Sequence, residues 1–208
     1  MNQMDDVVLK TKRLILKPMP LRVLRQKIHR IPDAETKREY TEMLEKAEKG
    51  DFLWNTPWEM LSREDGQFVG DIGFKGAPQN GMVEIGYTTE PSFRNRGYMS
   101  EALTAMLDWA FTQEGVRMVE AETVADNLVS QHLLQKYGFL PAGEGEEGPR
   151  FRREKPEMRW MSIYMLLGMS MGMSLGVAWG NIAMGMVLGS GLGLCLGACK
   201  DKSRKAPL

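Results

Sequence analysis

The chain has 208 residues, and its 27 basic residues balance its 27 acidic residues. That length favours one globular domain with room for a modest extra element. The balanced charge gives no strong field that would attract a nucleic acid. Both cysteines, Cys195 and Cys199, lie in one apolar tract, so we predict neither a disulfide framework nor a cysteine metal site. The first residues are acidic and carry no apolar signal-peptide core, so we expect this part of the chain to be cytoplasmic.

The composition changes sharply after residue 157. Residues 1–157 are rich in charge, whereas residues 159–199 are almost uncharged and rich in Gly, Met and Leu. A short basic stretch follows at the end of the sequence. We therefore predict a globular domain over 7–157, an apolar helical hairpin over 160–199 and a basic tail over 200–208.

The first unit alternates strand and helix patterns. In chain order we predict a strand over 7–16, helices over 21–31 and 33–50, strands over 58–63, 68–74 and 82–89, a helix over 100–113, a strand over 118–124, a helix from Asp126 or Asn127 to Gly138, and a strand from Phe139. The turn signals Asp65-Gly66 and Asn80-Gly81 join the middle strands into an antiparallel meander. A closing strand over 151–155 or 159–164 stays open. The pattern predicts an α+β fold, with a largely antiparallel sheet flanked by helices.

A basic turn with one glycine lies between the strand over 82–89 and the helix over 100–113. Arg94 and Arg96 supply guanidinium groups, and Gly97 lets the backbone approach a ligand closely. The start of the following helix offers free N–H groups and a favourable dipole. These features together predict a site for diphosphate, and the alternative is an ordinary surface turn before a helix.

Three motifs at correct mutual spacing resemble the GNAT N-acetyltransferase superfamily. The family's pyrophosphate loop, Q/R-x-x-G-x-G/A, is matched by Arg94-Asn95-Arg96-Gly97-Tyr98-Met99. Its second motif, N-x-x-S…L-x-x-x-G-F, is matched by Asn127-Leu128-Val129-Ser130 with Leu133 to Phe139. A T-x-R-L-x-L opening is matched by Thr11-Lys12-Arg13-Leu14-Ile15-Leu16. That opening resembles the branch containing the ribosomal-protein N-terminal acetyltransferases. The resemblance covers roughly residues 10–139. It implies the GNAT acyl-CoA acyltransferase fold, and direct transfer of an acetyl group from acetyl-CoA to a primary amine.

The resemblance assigns eight residues to acetyl-CoA and implies no metal. Those expected at the pyrophosphate are Arg94, Asn95, Arg96, Gly97, Tyr98 and Met99. Thr89 at the end of its strand and Asn127 at a helix start would contact the pantetheine arm. The sequence departs from the family at Asn95, often Gly, and at Met99, usually Gly or Ala. Met99 continues the apolar stripe of the following helix, which favours a core position for its side chain.

Three residues are candidates for the chemistry that the resemblance implies. Glu84 and Glu122 lie on neighbouring strands, and either would serve as the base for the amine, with Glu122 slightly favoured. Ser130 would donate a proton to the sulfur, because the tyrosine that many members use is replaced by Leu134. The alternatives are salt-bridged strand carboxylates and a serine bonded to its own helix backbone. The acceptor would be a protein N-terminus or a small molecule. A degenerate member that only senses acyl-CoA is the competing function.

Glycine recurs every four residues in the apolar tract, at Gly168, Gly172, Gly176 and Gly180 and again at Gly185, Gly189, Gly193 and Gly197. Small residues at this spacing let two helices approach closely. Trp179-Gly180-Asn181 separates the two runs, which predicts a hairpin of helices over 161–179 and 182–199. Basic residues on both sides favour a membrane hairpin with both ends in the cytoplasm. The alternatives are a pair that folds on its own domain or self-associates, and a membrane assembly element with the enzyme as passenger.

Overall fold

The computed structural model describes residues 7–156 and 160–204. It divides into two units, Met1–Lys155 and Pro156–Leu208. The predicted acidic start, residues 1–6, and the end of the predicted basic tail, residues 205–208, lie outside the described residues, as do residues 157–159 around the predicted boundary.

The first unit contains eight strands and four α-helices among its described residues. The strands are β1 (Leu9–Lys10), β2 (Leu14–Pro18), β3 (Pro57–Ser62), β4 (Phe68–Phe74), β5 (Met82–Thr89), β6 (Met118–Glu122), β7 (Leu140–Glu144) and β8 (Pro149–Glu154), and the helices are α1 (Leu21–Arg30), α2 (Ala34–Lys49), α3 (Tyr98–Thr112) and α4 (Leu128–Lys136). Short 3-10 turns cover Phe52–Trp54 and Pro91–Phe93. The predicted first strand is divided in two by a turn over residues 11–13. The closing strand is β8, the first of the two segments that the sequence left open.

The strands form one sheet in the order β1-β2-β3-β4-β5-β6-β8-β7. All neighbours are antiparallel except β5 and β6, which are parallel from Met82↔Met118 to Glu84↔Glu120. Beyond that last pair β5 continues to Thr89 and β6 to Glu122 without pairing with each other. The two strands therefore part and leave a wedge between them. The predicted mixed, largely antiparallel fold is confirmed.

The main core lies between the sheet and α3. Leu103, Met106 and Ala110 of α3 are fully buried against strand residues such as Ile72 and Ile85. These positions follow the 3–4 spacing that predicted the helix. Burial of this stripe fixes the start of α3 against the sheet, and with it the turn that precedes the helix.

Two further predictions about helix starts agree with the structure. The carboxylate of Asp33 accepts a hydrogen bond from the Thr36 N–H at 2.7 Å and caps α2, as its sequence position predicts. The side chain of Met99 is partly buried and packs against the main core. It therefore leaves the adjoining turn open to a ligand.

The second unit is a pair of helices, α5 (Trp160–Ala178) and α6 (Ile182–Arg204). They approach so closely that a Cβ added at Gly172 would lie 2.1 Å from the carbonyl oxygen of Gly185. Gly180, at φ 73°, makes the turn, and Asn181 caps α6 by accepting from the Met184 N–H at 3.0 Å. The predicted apolar helix pair is therefore present.

Candidate active site

The predicted phosphate-binding turn is a tight loop over residues 94–97, between the 3-10 turn at Pro91–Phe93 and α3. Asn95 and Gly97 both adopt left-handed backbone, at φ 59° and 76°. The first N–H groups of α3 have no partners within the helix, as at any helix start. Arg94 Nε donates to the Thr89 carbonyl oxygen at 3.1 Å, which ties the loop to the end of β5. The loop thus combines free donors, a helix N-terminus and exposed arginines, the features that bind phosphate.

A hydroxyl pair lies beside the wedge between β5 and β6. The Tyr87 hydroxyl of β5 and Ser130 Oγ of α4 are 2.7 Å apart, and either can donate to the other. Burial raises the pKa of Tyr87, so its hydroxyl stays protonated at neutral pH. Asn127 caps α4 by accepting from the Ser130 N–H at 3.1 Å. Ser130 therefore bonds to a side chain across the wedge, a contact that the sequence did not indicate.

Glu84 and Glu122 lie on one face of the sheet. Glu84 is paired in register with Glu120, and Glu122 is two residues further along the same strand. Lys75 Nζ lies 2.9 Å from a Glu84 carboxylate oxygen and 2.7 Å from one of Glu147. Burial lowers the pKa of Lys75, but its hydrogen bonds to these two carboxylates outweigh that effect and raise it. Glu84 is thus an ion-pair partner whose side chain is still 30% exposed.

Glu122 is held more firmly than Glu84. Arg150 donates to its carboxylate from Nε at 2.7 Å, and the Glu147 N–H donates at 3.3 Å. A Cβ added at Gly145 would lie 2.1 Å from this carboxylate, so the β7–β8 loop covers it. Burial alone would raise the pKa of Glu122, but the hydrogen bonds from Arg150 and the backbone lower it. A carboxylate with these contacts is a weak proton acceptor, and the salt-bridge alternative describes it well.

The sequence analysis missed a cluster of ion pairs between β6 and β8, which includes Glu120 as well as Glu122. Glu120 is 4% exposed and pairs with Arg150 at 3.2 Å and with Arg152. Strand β6 carries Glu120 and Glu122 on one face, and β8 carries Arg150 and Arg152 opposite them. The repeated patterns Glu-x-Glu and Arg-x-Arg were the available signal, since opposite charges stabilise cross-strand pairs.

The parting strands and the loop at the start of α3 suit a ligand that carries a diphosphate. Residues 16–140 match the family model described as "Acetyltransferase (GNAT) domain". The chain therefore belongs to the GNAT acetyltransferase family.

Similar proteins support the same family. The chain is 40% identical over 84 residues to the "Uncharacterized N-acetyltransferase YjdG" of Bacillus subtilis, covering 40% of this chain and 50% of that protein. The chain spans about half the length of the curated relatives it matches.

Solved structures show the same fold at low identity. A "putative ribosomal-protein-serine acetyltransferase" from Vibrio cholerae has a TM-score of 0.55 and 18% identity, covering 73% of this chain and 99% of that one. "RimL- Ribosomal L7/L12 alpha-N-protein acetyltransferase", solved in complex with coenzyme A, has a TM-score of 0.55 and 16% identity, covering 71% of this chain and 98% of that one. At these identities the likeness shows the fold alone.

Proposed function

We propose that this chain is an N-acetyltransferase that transfers the acetyl group of acetyl-CoA to a primary amine. One observation carries the proposal: the anion-binding loop over 94–97 opens α3 directly after β5 parts from β6. The wedge offers unpaired strand backbone to an extended ligand, and the loop offers donors to a diphosphate. Coenzyme A is such a ligand, with a pantetheine arm joined to a diphosphate.

The residues present fit this co-substrate. Arg94, Arg96 and the N–H groups at the start of α3 would hold the diphosphate. The backbone of Thr89 and the exposed start of α4 at Asn127 would bind pantetheine. The side chain of Met99 packs on the core, so the departure from the family at this position leaves the loop accessible.

The chemistry needs a base for the amine and a proton donor for the departing sulfur. Glu84 and Glu122 remain the proposed bases, and the greater exposure of Glu84 favours it over Glu122. We propose that Ser130 Oγ transfers its proton to the departing sulfur and takes the proton of the Tyr87 hydroxyl in the same step, which leaves a Tyr87 phenolate that solvent reprotonates. The attacking amine loses one proton to the base, and the sulfur gains one as the C–S bond breaks.

Thiol release from acetyl-CoA tests the activity and separates it from the sensor function. The full-length protein is incubated with acetyl-CoA and a panel of small amines and peptide N-termini, and free thiol is measured. We expect release with at least one amine. Binding of acetyl-CoA without release across the whole panel would favour the sensor.

Two isosteric variants then identify the base. Replacing the true base by glutamine should lower kcat by roughly 10²–10⁴-fold. We expect Glu84→Gln to show this loss and Glu122→Gln to keep more activity. Wild-type rates and pH profiles in both variants would mean that water, or an acceptor that arrives deprotonated, replaces the side-chain base.

We further propose that the helix pair tethers the enzyme to a membrane with both ends in the cytoplasm. Among the described helices, one segment, Ile182–Cys199, has the length and mean hydropathy of a membrane span, and Ser162–Ala178 is a shorter apolar segment. Large apolar side chains point outward from both helices, including Leu166, Leu175, Val187 and Leu192, each at least 50% exposed. Eighteen residues of helix span about 27 Å, close to the hydrocarbon thickness of a bilayer.

Fractionation and labelling test the tether. The full-length protein should sediment with membranes and resist carbonate extraction. A cysteine replacing Asn181, in a chain without its native cysteines, should react with an impermeant label added from outside. A full-length protein that is monomeric and soluble without detergent would contradict the tether.

A further inference from the structure

The turn between β1 and β2 is fastened to the start of α3. The Glu101 carboxylate in the first turn of α3 accepts hydrogen bonds from the Thr11 hydroxyl, from the Arg13 N–H at 2.6 Å and from Arg13 Nε at 2.8 Å. Arg13 Nη1 donates to the carbonyl oxygen of Arg96 at 3.0 Å. The same guanidinium lies 4.4 Å from the centre of the Tyr98 ring. One side chain thus bridges the helix and the loop before it.

The turn that carries Arg13 is itself fixed to the sheet. Arg63 Nη1 donates to the Thr11 carbonyl oxygen at 2.7 Å, and the Arg63 N–H donates to the Arg13 carbonyl oxygen at 2.9 Å. The Leu14 N–H donates to the Thr11 hydroxyl oxygen at 2.9 Å. Arg13 therefore reaches the loop from a support that is hydrogen-bonded to the start of β2 and to the turn between β3 and β4.

The bond to Arg96 sets the direction of a donor in the loop. The carbonyl of Arg96 and the N–H of Gly97 belong to one planar trans peptide and point in opposite directions. Because Arg13 holds the carbonyl, the Gly97 N–H points away from the Arg13 guanidinium. A donor fixed before its ligand arrives binds more tightly, because less ordering remains to be done on binding.

The ion pair between Arg13 and Glu101 also offsets a negative charge near the proposed diphosphate site. Glu101 lies within the first turn of the helix whose N-terminus would bind an anion, and an unpaired carboxylate there would repel a diphosphate. Burial would raise the pKa of Glu101, but the bonds from Thr11 and Arg13 lower it, so the group is charged at neutral pH. Arg13 neutralises that charge.

We propose that Arg13 is a positioning residue for the diphosphate of acetyl-CoA, acting through the Arg96 carbonyl and the Glu101 carboxylate. This inference rests on the proposed function. Two properties of Arg13 are required at once: its positive charge, and a forked head that reaches two acceptors. Lysine supplies the first but not the second, because its single ammonium cannot reproduce the planar fork.

The test measures CoA affinity by calorimetry in the full-length protein in detergent, with Arg13→Met, Arg13→Lys and the matched control Lys12→Met. Lys12 has the same charge, lies in the same turn and makes none of these contacts. We expect Arg13→Met to raise Kd by about 10–100-fold and Arg13→Lys by at least about 5-fold, and Lys12→Met by less than about 2-fold. Wild-type affinity in Arg13→Lys would overturn the proposal, because charge alone would then suffice.

Hydrogen exchange of the unliganded protein is the second readout. Loss of the Arg13 contacts should raise exchange in peptides covering residues 94–101, while peptides from the sheet stay protected. Glu101→Gln serves if Arg13→Met does not fold, and it should raise exchange in the same peptides. A wild-type protein that does not bind CoA would refute the proposed function, whereas unchanged exchange in every variant would refute the role of Arg13.

Discussion

Replacing Gly172 by leucine should force α5 and α6 apart. The nearest atoms to an added Cβ are backbone atoms, the Gly185 oxygen at 2.1 Å and the Gly189 Cα at 2.9 Å. An ordinary contact is about 3.4 Å, so the oxygen contact falls short by about 1.3 Å, which no side-chain rotation can relieve. Overpacking of this kind typically costs about 1–3 kcal/mol. We therefore expect the helices to separate by at least about an ångström at this level.

Pulsed dipolar spectroscopy on the full-length protein measures that separation. Nitroxide labels at Leu167 and Leu192, which are 55% and 68% exposed, report the distance between the helices in a background where both native cysteines are serine. Gly191→Leu is the matched control, because nothing lies within 4 Å of a Cβ added there. We expect a longer or broader distance distribution for Gly172→Leu alone. An unchanged distribution would refute the glycine contact.

The remaining predictions concern the first unit. Gly97→Asp should raise the Kd for acetyl-CoA by more than about 10-fold through repulsion beside phosphate, whereas Gly66→Asp, at a similar φ of 70° in an open turn, should leave it unchanged in calorimetry. Tyr87→Phe should lower kcat by about 10-fold or more, and adding it to Ser130→Ala should cost little further if the pair acts as a unit. Because the pKa of Glu122 is lowered in the folded chain, its charged form stabilises the fold above about pH 4.3, and this contribution is lost as the pH falls. Urea titrations should therefore show that Glu122→Gln is less stable than wild type at pH 7. The variant should also lose less stability than wild type on acidification.

Local sequence patterns were sufficient to predict most of the fold. Turn signals at Gly66 and Gly81 fixed the meander, both at positive φ as expected. The 3–4 apolar spacing identified α3, and the four-residue glycine spacing identified the helix pair. Each of these signals is confined to a few neighbouring residues, so no knowledge of distant contacts was needed.

The ion pairs between β6 and β8 could not be predicted from local patterns, because they depend on the pairing of strands that are distant in the sequence. Arg150 meets Glu122 only because β8 pairs with β6 in the register that places these two residues opposite each other. A shift of β8 by one residue would turn the Arg150 side chain to the other face of the sheet. For the same reason the sequence favoured Glu122 as the base, whereas our proposal favours Glu84, because Arg150 already binds the Glu122 carboxylate.

The hydroxyl pair bears on the choice between an enzyme and a sensor. Leu134 replaces the tyrosine that many family members use, and it is fully buried in the core, so this position offers no proton donor. Tyr87 brings a phenol to Ser130 from the strand on the other side of the wedge. A transferase needs a proton donor for the departing sulfur, and this partly buried pair would supply one if the thioester binds beside the wedge as we propose. The pair therefore favours the enzyme, and loss of turnover without loss of CoA affinity in Tyr87→Phe would support that conclusion, while equal losses in both would point to a packing role.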